Sequence, residues 1–130
     1  MRELLRSLFR INNRNRSIQI SDLAKPYWPN IESLLRRVNA IKVEEFVYHP
    51  ELKYAGRFDC YGSFDDRLNL VIDFKTAGKP KKSEWIEDYF LQAVAYGIAI
   101  ERTLNLQVDG VAILMSTPEQ PQVFILDRLE

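Results

Sequence analysis

Polar and apolar residues alternate with a period of two through much of the chain between Ile41 and Thr76. Successive side chains of a β-strand point to opposite faces, so this period predicts strands that bury one face against a core. The pairs His49-Pro50 and Asp65-Asp66 are typical of turns and divide the stretch into three. The predicted strands are Ile41–Tyr48, Tyr54–Phe64 and Leu68–Thr76.

Segments with apolar residues at helical spacing lie on both sides of this strand region. Asn30 is a candidate N-cap for a helix that ends near Asn39, and Glu84 to Arg102 predicts the longest helix. Two further strands are expected at Val108–Met115 and Gln122–Asp127. With a short basic helix over residues 1–16, the order α, α, β, β, β, α, β, β predicts one mixed α/β domain spanning the 130 residues.

Composition limits the classes of site and location. One cysteine and one histidine exclude a disulfide framework and the usual structural zinc site, so a metal would be held mainly by oxygen. The longest uncharged apolar stretch, Phe90 to Ile100, is too short for a membrane helix, and no membrane partner is expected. Eighteen basic residues balance eighteen acidic ones, so nucleic-acid binding would depend on a local patch.

The N-terminal segment is locally basic, because arginines recur every fourth residue from Arg2 to Arg14. A solvated helix face, a phosphate-binding arm and a mitochondrial targeting segment all fit this pattern. The expected location is intracellular: cytoplasmic by default, and mitochondrial if the segment is a targeting peptide.

Acidic residues interrupt two of the apolar strands. Alternation places Asp73 and Lys75 on one face of the third strand, and it places Asp59 on the face of the second strand opposite to Gly56, Phe58 and Cys60. If the two strands form an antiparallel hairpin, Asp59 and Asp73 converge at a spacing suited to a hard cation. A buried ion pair of Asp73 with Lys75, or of Asp59 with Arg57, is the alternative.

Three motifs together resemble the RecB-type branch of the PD-(D/E)XK nuclease family. They are Gly56-Arg57-Phe58-Asp59, Ile72-Asp73-Phe74-Lys75-Thr76 and Gln92-Ala93-Val94-Ala95-Tyr96, and the resemblance covers about Ile41 to Leu126. The stretch from Tyr54 to Cys60 is most similar to the mitochondrial exonucleases of that branch and their phage and bacterial relatives. The resemblance implies a restriction-endonuclease-like three-layer α/β/α core. It also implies magnesium- or manganese-dependent hydrolysis of DNA phosphodiesters, preferring single-stranded or end-bearing DNA.

The resemblance implies a role for each matching residue. Asp59 and Asp73 match the two metal-binding acids, and Lys75 matches the lysine that orients or activates the attacking water. The backbone carbonyl of Phe74 matches a further metal ligand, and Glu45, in preference to its neighbour Glu44, matches the glutamate of the preceding strand. Gln92 and Tyr96 stand one helical turn apart, where an amide and a phenol can position the substrate or the lysine.

Basic and aromatic residues follow the third strand. Lys79, Lys81 and Lys82, together with Arg57, are candidates for DNA phosphate contacts, with a solvated loop as the alternative. Trp85, Tyr89 and Phe90 fit either base stacking or a core. Many relatives carry an early-helix histidine that completes the metal site, whereas the first histidine here is His49. A nucleic-acid-binding module with a nuclease fold and little or no activity is therefore the second interpretation, and a small interaction domain in which Asp73 and Lys75 are merely a buried ion pair is the third.

Overall fold

The computed structural model describes residues 25–128 and contains one five-stranded sheet with a helix on each face. The basic helix expected over residues 1–16 lies outside the described residues. The elements, in chain order, are α1 (Trp28–Leu35), β1 (Val38–His49), β2 (Tyr54–Phe64), β3 (Arg67–Thr76), the 3₁₀ turn Ser83–Trp85, α2 (Glu87–Thr103), β4 (Gly110–Ser116) and β5 (Pro121–Asp127).

The five strands follow their order in the chain, β1-β2-β3-β4-β5. The pairs β1–β2, β2–β3 and β4–β5 are antiparallel, whereas β3 and β4 run parallel. A parallel pair needs a connection that returns along the sheet, and α2 provides it. The prediction of a mixed sheet with helices is confirmed.

The core has two parts, one on each face of the sheet. On one face Ile31, Leu34 and Leu35 of α1 pack against a cluster that includes Cys60 and Ile72. On the other face α2 packs against a second cluster. The result is three layers, α1, sheet and α2, which is compatible with the nuclease-like core that the resemblance implies. Members of the second cluster include Val47, Phe58, Tyr61, Val71, Ala93, Ile100 and Ile113.

The start of α1 differs from the prediction. The helix begins at Trp28, so Pro29 falls in its first turn, where the missing N–H of proline would have no helical partner anyway. Asn30 is therefore not the N-cap, and its Nδ2 instead donates to the carbonyl of Thr117 at 2.6 Å. Val38 and Asn39 already belong to β1.

The second helix starts later than predicted. Ser83–Trp85 forms a 3₁₀ turn, and the α-helix runs from Glu87 to Thr103. Neither α1 nor α2, the two α-helices in residues 25–128, is long and apolar enough to cross a membrane.

Candidate active site

Two carboxylates stand together where β2 and β3 part. The two strands pair as far as Cys60 and Ile72, and Asp59 and Asp73 come one residue further along each strand. Beyond this pair, a side chain accepts a backbone hydrogen bond: the N–H of Phe74 donates to Oδ2 of Asp59 at 3.0 Å. Both acids are nearly inaccessible, with 9% of Asp59 and 3% of Asp73 exposed.

The electrostatics of Asp73 show that its negative charge is poorly compensated. Burial, and then the charge of Asp59, raise the pKa of the Asp73 carboxyl from 3.8 to about 7, although Lys75 acts in the opposite direction. Oδ2 of Asp73 lies 3.1 Å from Nζ of Lys75, yet within residues 25–128 it accepts no well-formed hydrogen bond. The alternative ion pair of Asp73 with Lys75 is therefore present, but its attraction does not offset burial and the charge of Asp59, which still raise the pKa of Asp73.

The ammonium group of Lys75 is held from three sides. Besides the contact with Asp73, its Nζ donates to Oε1 of Gln92 at 3.4 Å and lies 4.8 Å from the ring centroid of Tyr89. The amide of Gln92 in turn donates to the hydroxyl of Tyr96 at 3.4 Å. Gln92 and Tyr96 thus lie on the face of α2 that is directed at Lys75.

Gly56 allows α2 to approach β2 closely. A Cβ atom at this position would lie 2.6 Å from Cε1 of Tyr96, so a side chain here would require the ring to shift. The glycine of the Gly-X-X-Asp motif therefore has a packing role, because it admits the ring that extends the Lys75–Gln92 contacts.

The side chains of β2 do not alternate as the sequence predicts. Gly56 and Phe58 face α2, as expected of a pair two residues apart, but Cys60 packs on the α1 side and Asp59 faces α2 beside Asp73. The predicted common face of Gly56, Phe58 and Cys60 is therefore wrong. The change occurs opposite Glu44, which has a φ of 54° between the registered pairs Val43–Cys60 and Glu45–Phe58, so β1 is locally distorted there.

The predicted third carboxylate, Glu45, does not form a metal-binding group with Asp59 and Asp73. Glu45 lies opposite Phe58 in the strand register, and its Oε1 lies 3.7 Å from Nζ of Lys42. Its Oε2 is buried and makes no hydrogen bond to the described part of the chain. Across residues 25–128 no three His, Cys, Asp or Glu side chains are close enough to hold one metal ion. A role for Glu45 as a ligand stays a prediction.

The donors that are present fit a magnesium ion. Mg²⁺ prefers oxygen and is usually held by one or two protein carboxylates together with waters and substrate phosphates. Asp59 and Asp73 supply two carboxylates, and a cation beside them would relieve the charge that raises the pKa of Asp73. The N–H and C=O of a strand residue point to the same side, so the carbonyl of Phe74 is also directed toward Asp59.

The candidate phosphate contacts fall into two groups. Lys79, Lys81 and Lys82 are exposed in the loop between β3 and the 3₁₀ turn. Gln122 fixes this loop, since its side chain accepts from the N–H of Lys81 at 2.8 Å and donates to its carbonyl at 2.9 Å. Arg57 is apart from them: its guanidinium lies 4.6 Å from the ring centroid of Phe46, on the sheet face opposite to α2.

Tyr89 is a site residue whose contact with Lys75 is not among the sequence predictions. It precedes Gln92 by three residues, so the two share a helix face. That spacing could have placed its ring near Lys75 once Gln92 was assigned to the site.

The chain is similar in sequence to three vertebrate proteins, each named mitochondrial genome maintenance exonuclease 1. It is 37% identical to the Xenopus tropicalis protein over 96 residues, which is 69% of this chain and 27% of that protein. It is 34% identical to the Homo sapiens protein over 87 residues, 64% of this chain and 24% of that protein. With the Mus musculus protein it shares 38% identity over 72 residues, 54% of this chain and 21% of that protein.

The similarity is therefore local with respect to the vertebrate proteins. The chain spans about a quarter of the length of these curated relatives. No family model matches the chain. The aligned relatives are exonucleases by name, which agrees with the class of protein that the three sequence motifs resemble.

Proposed function

We propose that the protein is a magnesium- or manganese-dependent deoxyribonuclease, most simply an exonuclease of the PD-(D/E)XK type. The observation that carries the proposal is the arrangement of Asp59, Asp73 and Lys75, in which two buried carboxylates and one ammonium group meet at the end of a strand pair. The similarity to proteins named as exonucleases supports the same class of reaction.

Each residue has a chemical task in this proposal. Asp59 and Asp73, with the carbonyl of Phe74, would hold the cation. A bound divalent cation supplies Lewis-acid polarisation of a phosphoryl oxygen and lowers the pKa of bound water. Lys75 places a positive charge next to these carboxylates, where it can orient the attacking water and stabilise the negative charge that develops on the phosphate.

The contacts around Lys75 hold its ammonium group in a fixed orientation. A lysine side chain has many rotamers, and a fixed ammonium group is worth more in a transition state than a mobile one. Gln92 accepts a hydrogen bond from Nζ and Tyr89 offers its ring face, so both hold Lys75 from the helix side. They are positioning residues, and Tyr96 acts through Gln92.

The substrate of this proposal is DNA with an unpaired strand or a free end. Lys79, Lys81 and Lys82 follow the strand that carries Lys75, so they can contact phosphates next to the one that is cleaved. Binding through these lysines should weaken with salt, because each lysine–phosphate contact releases a counterion from the DNA.

Cleavage of labelled DNA tests the proposal. The purified chain is incubated with 5′-labelled single-stranded and blunt duplex DNA, in Mg²⁺, in Mn²⁺ and in EDTA. Cleavage should need the metal and should disappear in Lys75→Ala and in Asp73→Asn. Arg36→Ala, which removes an exposed cation from α1, is the matched control and should cleave normally. Full cleavage by Lys75→Ala, or intact DNA with both metals, would contradict the assignment.

A nucleic-acid-binding module without activity is the second candidate. It is favoured by one observation, that only two carboxylates of residues 25–128 converge at the site. DNA binding without cleavage in either metal would select it over the nuclease.

A mitochondrial location is also a proposal. It is supported by the names of the similar vertebrate proteins and by the basic N-terminal segment. Expression in animal cells with a C-terminal fluorescent tag, beside a variant lacking residues 1–16, tests it. Loss of a mitochondrial signal in the shorter protein is expected, and cytosolic fluorescence of both would contradict it.

A further inference from the structure

Trp85 is a large aromatic residue that the fold leaves in solvent. It ends the 3₁₀ turn before α2, and 61% of it is exposed. The neighbouring aromatics Tyr89 and Phe90 are half-buried against the sheet. The indole therefore presents a flat apolar surface that is open to a ligand.

The place of Trp85 in the chain brings it to the candidate active site. The loop that contains it leaves β3 directly after Lys75 and leads into the first turns of α2. Tyr89, four residues after Trp85, has its ring 4.8 Å from Nζ of Lys75. Trp85 is therefore close along the chain to a side chain that contacts Lys75.

Lysines lie on the loop side of Trp85, whereas the acids Glu84, Glu87 and Asp88 lie on its helix side. Nζ of Lys82 lies 5.3 Å from the centroid of the indole, and Lys79 and Lys81 are exposed on the same loop. Two contacts fix this geometry: the N–H of Trp85 donates to the carbonyl of Lys82 at 3.0 Å, and Gln122 holds the backbone of Lys81 on both sides. An aromatic ring beside lysines is complementary to a ligand that has both a flat ring and a phosphate.

We propose that Trp85 and Lys82 form a nucleotide-binding site for unpaired DNA, with one base stacked on the indole and an adjacent phosphate on the ammonium group. The inference rests on the proposed nuclease function and names the residues that would recognise an unpaired base. Bases of a duplex are already stacked on each other, so only an unpaired base can use the indole without the cost of opening a pair.

Equilibrium binding without cleavage tests this site. The probes are a fluorescently labelled single-stranded oligothymidylate and a duplex of equal length, each in EDTA. Trp85→Leu should weaken single-strand binding about 5- to 150-fold, the range for loss of one base–aromatic stack, while duplex binding changes less than about twofold. Trp85→Phe should recover part of the loss. Leu91→Ala, which changes another exposed apolar residue, on α2, is the matched control and should bind as the wild type does.

Intrinsic fluorescence gives a second measurement. The chain has two tryptophans, so in a Trp28→Phe background the emission comes from Trp85 alone. Oligothymidylate should quench this emission with the affinity measured by the labelled probe, because a stacked base quenches an indole. Unchanged emission at saturating DNA would overturn the stacking site.

The outcomes separate this site from the nuclease proposal. If the wild type cleaves DNA and Trp85→Leu binds single strands equally well, the stacking site is wrong and the nuclease proposal stands. Equal loss of duplex and single-strand binding would mean that Trp85 supports the loop or a protein contact, and would also overturn it. If the wild type neither binds nor cleaves DNA, both proposals fall.

Discussion

Replacing Asp73 with asparagine is expected to stabilise the metal-free protein at alkaline pH and to abolish its response to magnesium. In the folded protein, burial and then the charge of Asp59 raise the pKa of the Asp73 carboxyl from 3.8 to about 7. The folded state thus keeps a proton that the unfolded chain releases near pH 4, about its ordinary pKa. Stability is therefore lost as the pH rises from about 4 to 7, which is the opposite of the usual effect of a paired carboxylate.

The expected magnitude follows from the same pKa difference. A tenfold change in proton affinity corresponds to about 1.4 kcal/mol, so full ionisation of Asp73 costs the fold up to about 4 kcal/mol. Part of this cost is already present at pH 5, which leaves about 2–3 kcal/mol between pH 5 and pH 8. Asparagine keeps the shape of the side chain and cannot ionise, so Asp73→Asn should lack this loss.

Urea unfolding followed by circular dichroism measures the effect. Wild type and Asp73→Asn are compared at pH 5 and pH 8 in EDTA, and again at pH 8 with Mg²⁺. Mg²⁺ at about a hundred times its Kd should stabilise the wild type by about 2.7 kcal/mol and leave the variant unchanged. Asp65→Asn is the matched control, because Arg37 lowers the pKa of Asp65 and keeps that carboxyl ionised over this whole range. An identical pH dependence of wild type and Asp73→Asn in EDTA would refute the reasoning, as would equal stabilisation of both by Mg²⁺.

Three further predictions concern packing, positioning and reactivity. Gly56→Ala should cost about 1–3 kcal/mol in urea unfolding, since its Cβ would meet Tyr96 at 2.6 Å, whereas Gly78→Ala, with nothing within 4 Å, should be nearly neutral; equal effects would contradict the packing role. Gln92→Leu should lower kcat for DNA cleavage about tenfold with little change in KM, because it removes the hydrogen bond that holds Nζ of Lys75. An unchanged kcat would contradict the positioning role of Gln92. Burial raises the pKa of the Cys60 thiol to about 12, so iodoacetamide at pH 8 should modify it only after unfolding, and rapid labelling of the folded protein, detected by mass spectrometry, would contradict this.

The strands of the sheet could be predicted from local pattern because turn residues mark their ends. The sequence predicts Tyr54–Phe64, and β2 has these bounds. The start of β1 is different, since Val38 continues an apolar spacing that also fits a helix. Tertiary pairing with Ser63 and Phe64 decides the question, and no local pattern reports such a pairing.

The chemistry-bearing residues could be predicted more readily than their surroundings. An aspartate between Ile72 and Phe74 is costly in a strand unless something compensates it, and this cost makes Asp73 visible in the sequence. The distortion at Glu44 is not visible in this way, because its φ of 54° is a backbone property that glutamate does not signal. The sequence therefore identifies Asp59 but misplaces the faces of its neighbours.

The helix partners of Lys75 follow from the topology. After Thr76 the chain has to return to the start of β4, because β3 and β4 are parallel, and α2 makes this return along the face that carries Asp73 and Lys75. Its early turns therefore pass Lys75, where Gln92 contacts Nζ, and its later turns pass the preceding residues of β3. A Cβ on Gly97 would lie 3.2 Å from Cγ1 of Val108 and at an ordinary contact distance of 3.5 Å from Cγ2 of Val71, so this turn of α2 packs close to both residues.

The position of α2 along β3 consequently fixes the distance between Gln92 and Lys75. Gly56 in the sheet lies beneath Tyr96 of that helix, and a Cβ there would require the ring or the helix to shift. A shift of α2 would change the 3.4 Å contact between Nζ of Lys75 and Oε1 of Gln92. The geometry of the candidate catalytic lysine thus depends on close packing between layers as much as on the acids beside it.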